Sequence, residues 1–65
     1  DSDDIYLDEF NDEIDGWVID ALKNIGLTTA KSVLSTPREQ IMDKADLEED
    51  TVNFVFDVLR AEFED

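Results

Sequence analysis

Leu22-Lys23-Asn24-Ile25-Gly26-Leu27-Thr28-Thr29-Ala30-Lys31-Ser32-Val33-Leu34 reads as the end of one helix, a turn centred on glycine, and a second helix. Gly26 suits the left-handed residue that ends a helix, because it has no Cβ to clash at positive φ. Thr28 or Thr29 then caps a short helix that ends near Ser35. Ala30, Val33 and Leu34 give this helix its inward face, and small Ala30 lets two helix backbones approach closely. The unit sits in a chain of formal net charge -14, whose field repels phosphate and favours basic protein surfaces.

Upstream, Asn11 or Asp12 is placed to cap a helix running to about Asn24, since a side-chain oxygen there accepts an amide that the first turn leaves unpaired. At ~100° per residue, Ile14, Trp17, Val18, Ala21, Leu22 and Ile25 share an apolar arc of roughly 140°. Ile19 lies off that stripe. It is expected to cover the apolar cluster Ile5, Tyr6, Leu7 and Phe10, itself a short helix or a strap, in preference to meeting a partner. Residues 1–4 are a polar lead expected to be frayed, and residues 5–65 form the domain.

Downstream, Thr36-Pro37-Arg38-Glu39 predicts a helix start, with Thr as N-cap, Pro at the first helical position and Glu three residues after the cap. Ile41, Met42 and Ala45 are its apolar residues. A break near Ala45 is followed by Asp46-Leu47-Glu48-Glu49, a second cap-and-Glu pattern that opens the last helix, about residues 47–63. There Val52, Val55, Phe56, Leu59 and Phe63 form a core stripe. Leu47, Thr51, Phe54, Val58 and Ala61 form a second one, with Phe54 ~160° around the axis from Phe56. One neighbouring helix cannot cover both aromatics. Either this helix is central and surrounded by the other four, which is the leading expectation, or Phe54 or Val58 shows at a partner groove.

Composition narrows the function. A chain of 65 residues allows one domain, which at this size buries only about 60% of its unfolded surface. With 42% hydrophobic residues, a Trp, a Tyr and four Phe, it has the content of a globular fold rather than of an acidic tail. No Cys and no His close off disulfides, the usual zinc sites, thiol nucleophiles and the commonest general base, so no enzyme, metal or cofactor is expected. Neither a membrane span nor a signal segment is legible, which predicts a cytoplasmic protein. The first residue is Asp rather than Met, so the chain reads as a piece of something longer.

Two further motifs fail. The run Asn11-Asp12-Glu13-Ile14-Asp15-Gly16 imitates the first half of a calcium loop, but position twelve of that loop is Leu22 rather than a bidentate Glu. Glu48 and Glu49 form a carboxylate pair with nothing to place them in an apolar pocket, so acid–base chemistry is not expected of them.

Taken together, residues 12–19, residues 25–34, Arg38-Glu39 and Asp46-Leu47-Glu48-Glu49-Asp50-Thr51-Val52 resemble the C-terminal end of some bacterial NusA transcription elongation and termination factors, over about residues 7–65. The resemblance and the element order predict an all-α fold of about five short helices, a tandem helix-hairpin-helix bundle of the SAM-like kind. What the resemblance implies is a protein-binding module without chemistry of its own. Its partners would be the C-terminal domain of the RNA polymerase α subunit or the factor's own RNA-binding domains. The candidate contacts are Asp43, Asp46, Glu48, Glu49, Asp50 and Phe54, whereas Gly26, Thr29 and Ala30 shape the first turn.

The alternative is a weak nucleic-acid module at the Gly26 turn. In nucleic-acid-binding hairpins two glycines flank a hydrophobic residue, and loop amides meet a phosphate with help from bases. Here Asn24 stands where the first glycine would, and Lys23 and Lys31 are the bases nearby. Acids in the second turn argue the same way against phosphate, although at a helix N-terminus each is also stabilising by roughly 0.3–1 kcal/mol. No nucleic acid, no membrane and a monomer are the expectation.

Overall fold

The Gly26 turn forms as its sequence dictates, in a computed structural model that describes residues 4–63. Helix α1 (Gly16–Asn24) ends at Ile25, and Gly26 follows at φ 93. The Gly26 amide donates to the Lys23 carbonyl at 3.0 Å and the Leu27 amide to the Leu22 carbonyl at 3.0 Å. These are the paired closing bonds of a left-handed helix stop, and they satisfy carbonyls that the last turn would otherwise leave unpaired. Thr29, not Thr28, caps α2 (Ala30–Leu34) through a reciprocal box with Ser32. The Ser32 amide donates to Thr29 Oγ1 at 3.3 Å and the Thr29 amide to Ser32 Oγ at 3.2 Å.

Ahead of α1 the chain departs from expectation. A 3-10 helix at Leu7–Phe10 is followed by a turn in which the Glu13 and Ile14 amides donate to the Phe10 carbonyl at 2.9 and 2.7 Å. That turn uses up residues 11–13, so neither Asn11, which ends the 3-10 helix, nor Asp12 caps α1, and α1 begins only at Gly16, after Asp15. The late start changes which face points inward. Val18, Ile19 and Leu22 are buried, and Trp17, expected in the core stripe, is 60% exposed. Trp17 and Ile19 lie ~160° apart around a helix axis, so both cannot face one core.

The segment before the 3-10 helix lies across the start of α2. The Leu7 amide donates to the Thr28 carbonyl at 3.0 Å and the Ala30 amide to the Ile5 carbonyl at 2.7 Å, with an isolated antiparallel bridge between Tyr6 and Thr29. Ala30, fully buried, therefore gives close approach to this strap. Of the expected frayed lead, residues 1–3 lie outside the described residues, whereas Asp4 is tied down: its Oδ1 accepts from the Ile5 amide at 2.8 Å and from the Lys31 amide at 3.1 Å.

Helix α3 (Arg38–Ala45) starts after Pro37, one residue later than the Thr36 signal predicts. The Thr36 hydroxyl is engaged elsewhere, donating to the Ser32 carbonyl at 2.9 Å, where it ties off the end of α2. Asp46 ends α3 in the left-handed region, at φ 57 and ψ 43, and α4 (Glu49–Phe63) begins three residues beyond it. Asp46 is thus the stop of α3 rather than the cap of α4.

The described residues are all-α, four α-helices and one 3-10 helix. Helix α4 packs chiefly on α2 and α3, and α3 on α1 as well. Leu7, Ile14, Leu22, Val33, Ile41 and Leu59, each at most 1% exposed, bring every segment into one core. The expectation of a last helix enclosed by all the others fails: with two principal neighbours, α4 buries Val52, Val55 and Leu59 but leaves Phe54 50% exposed. No helix among the described residues is long and apolar enough to cross a membrane.

Candidate protein-docking site

Two exposed aromatics face the same space. Asp15 and Trp17 at the start of α1, with Asp50, Thr51 and Phe54 in the first turns of α4, line a surface groove of about 220 Å³. Ile14 and Val18 complete the lining, and at 1% and 3% exposed they form its floor. The geometry follows from two local conflicts in the sequence. On α1 the inward face taken by Val18, Ile19 and Leu22 turns Trp17 outward. On α4 the face taken by Val52, Val55 and Leu59 does the same to Phe54. Asp50 stands four residues before Phe54, one turn away on the same side.

The acidic turn adjoins this groove. Asp43, Asp46, Glu48, Glu49 and Asp50 are all exposed, while Leu47 between them is buried and anchors the turn to the core. Of the residues proposed from sequence, Asp50 and Phe54 meet in the groove. Asp46, Glu48 and Glu49 form the turn leading to it, and Asp43 sits on α3 outside the groove lining. Asp15 and Trp17 are groove residues that sequence reasoning missed. The signal was present in Ile19, whose claim on the core excludes Trp17 from it.

The first turn is closed by comparison. The three amides that open α2 already have acceptors: Ala30 bonds the Ile5 carbonyl, Lys31 bonds the Asp4 carboxylate, and Ser32 bonds Thr29 Oγ1. Asp4 therefore holds a place where an anion would bind. Desolvation raises its pKa, but the Lys31 amide, the Thr29 hydroxyl, the Ile5 amide and the Lys31 charge together hold it below the ordinary carboxylate value. Both nearby lysines are engaged as well, Lys23 in an ion pair with Asp8 and the Lys31 ammonium over the Phe63 ring, 5.8 Å from its centroid.

Among the described residues no group of three or more acidic side chains is placed to hold a metal ion. No family model matches this chain, and no match was found among curated proteins or solved structures.

Proposed function

We propose that the chain is a protein-interaction module of a NusA-like transcription elongation, termination and antitermination factor, acting in the cytoplasm without catalysis. In this reading α1–α2 and α3–α4 are two hairpins of a tandem helix-hairpin-helix domain, and the acidic second turn with the start of α4 meets a basic protein surface. The observation that carries the reading is that exposed Asp46, Glu48 and Glu49 form the turn leading to Asp50, which lines one groove with half-exposed Phe54. A charged rim beside a desolvatable aromatic is the usual composition of a protein contact, with charge setting rate and register and the aromatic supplying affinity.

The C-terminal domain of the RNA polymerase α subunit is the partner we put first, and the parent factor's own RNA-binding domains come second. The nucleic-acid alternative loses ground because the α2 amides and both nearby lysines already have partners within the chain, and net charge opposes it.

Two-dimensional NMR titration of the labelled chain with that C-terminal domain of the polymerase, at low and moderate salt, tests the reading. Expected are shifts centred on residues 46–54 that fade as salt rises. The double charge reversal Glu48→Lys with Glu49→Lys should weaken binding about tenfold while the circular dichroism spectrum stays unchanged. Unaltered affinity in that variant would sink the site assignment.

A further inference from the structure

We infer that the groove between Trp17 and Phe54 seats the guanidinium of an arginine carried on a basic segment of another protein. The inference rests on the reading of this chain as a binder of basic protein surfaces, and names the chemical group that its groove selects. Two aromatic side chains, 60% and 50% exposed, border the groove, and two carboxylates, Asp15 and Asp50, lie among its lining residues. Among the described residues no lysine or arginine lines it. Lys23 is paired with Asp8, Lys31 lies over Phe63 and Arg38 donates to Asn53.

An aromatic face attracts a cation through its quadrupole, and a carboxylate beside it accepts the cation's N–H donors. Arginine answers both demands at once, because its planar group stacks on a ring while its fork of donors reaches a carboxylate. Lysine offers a strongly hydrated point charge and loses more on leaving water. The buried floor of Ile14 and Val18 suits the apolar stem of the same side chain. Other occupants fit less well. A phosphate or a nucleic-acid backbone meets two carboxylates, and a second copy of this chain brings another net charge of -14.

Trp17 is the single tryptophan, so its fluorescence reports directly on the groove. Short peptides alike in length and flanking lysines, with Arg, Lys or Gln at the centre, serve as probes. The Arg peptide should bind about tenfold more tightly than the Gln peptide, with the Lys peptide between them. Phe54→Ala, followed by Trp17 fluorescence, and Trp17→Ala, followed by NMR, should each remove the advantage of the Arg peptide over the Lys peptide while leaving the circular dichroism spectrum intact. The Glu48→Lys, Glu49→Lys double variant should weaken all three peptides alike and retain their order.

An arginine preference that survives both aromatic substitutions overturns the inference, as does a Trp17 signal that does not respond to any peptide up to about millimolar concentration. The identity of the partner is decided separately. If the polymerase domain binds Phe54→Ala and Trp17→Ala as tightly as the unaltered chain, the groove assignment falls and the module reading stands. If that domain does not bind but the arginine preference holds, the groove assignment stands and the named partner falls.

Discussion

The two turns of this molecule solve the same problem in opposite ways. At the first, Gly26 supplies the left-handed residue, Thr29 and Ser32 cap the following helix, and the strap of residues 4–7 accepts or donates the remaining bonds. Its polar groups are paired within the chain. At the second, a carboxylate residue, Asp46, takes the left-handed position at φ 57, no strap among the described residues bonds to the start of α4, and the acids are exposed. Closure of one turn makes it scaffold; openness of the other leaves an aromatic and several charges available to a partner.

The largest expected effect separates buried from open apolar residues. Leu7, fully buried where the strap meets the core, should cost about 2–5 kcal/mol when replaced by alanine, through lost burial and an unfilled cavity. A core this small rarely supplies more than about 3–5 kcal/mol, so Leu7→Ala should populate the unfolded state at room temperature. Phe54→Ala removes a larger side chain, yet because it is half exposed the cost should be about 1 kcal/mol or less. Thermal melts followed by circular dichroism check both. Comparable losses from the two substitutions would erase the distinction between scaffold and docking surface.

A smaller effect should have opposite signs at the two turns. Gly26→Ala places a Cβ at φ 93, where nothing within 4 Å obstructs it, so the cost of about 1–2 kcal/mol is backbone strain alone. Asp46 already bears such strain, and Asp46→Gly should raise stability by up to about 1 kcal/mol, since relief of φ 57 outweighs the added freedom of the unfolded chain. Urea midpoints at constant slope measure both changes.

What was legible in the sequence divides along physical lines. Local backbone chemistry was readable, because a glycine after a helix and a threonine before one act through their nearest neighbours. Gly26 and Thr29 accordingly stand where the sequence puts them. The conflict between Phe54 and Phe56 was also visible from the period of α4, although enclosure by four helices was the wrong resolution. Tertiary competition was not readable. Thr36 has two open acceptor or donor roles within reach, and the Ser32 carbonyl at the end of α2 takes it. The turn after Phe10 delays α1 to Gly16, and that register decides whether Trp17 or Ile19 faces inward. Periodicity counted from Ile14 selects Trp17, since Ile14 is buried without belonging to the helix.

The smallest expected effect concerns Asp4, which belongs to the closed turn and is held by contacts twenty-seven residues away in the chain. Its pKa in the folded protein lies below the ordinary 3.8, so the folded state binds its proton less readily than the unfolded chain does. The linked stability is present above the unfolded pKa and is lost as pH falls through the lower folded value. Because Asp4 is exposed to solvent, screening keeps the contribution slight. Asp4→Asn should therefore reduce the melting temperature at neutral pH and converge with the unaltered chain at the acid end. Melting curves collected from neutral pH down to strongly acidic solution follow that convergence. A constant offset for Asp4→Asn at every pH would mean that the strap is held by its backbone bonds at Ile5 and Leu7 alone, with the carboxylate a bystander to closure of the first turn.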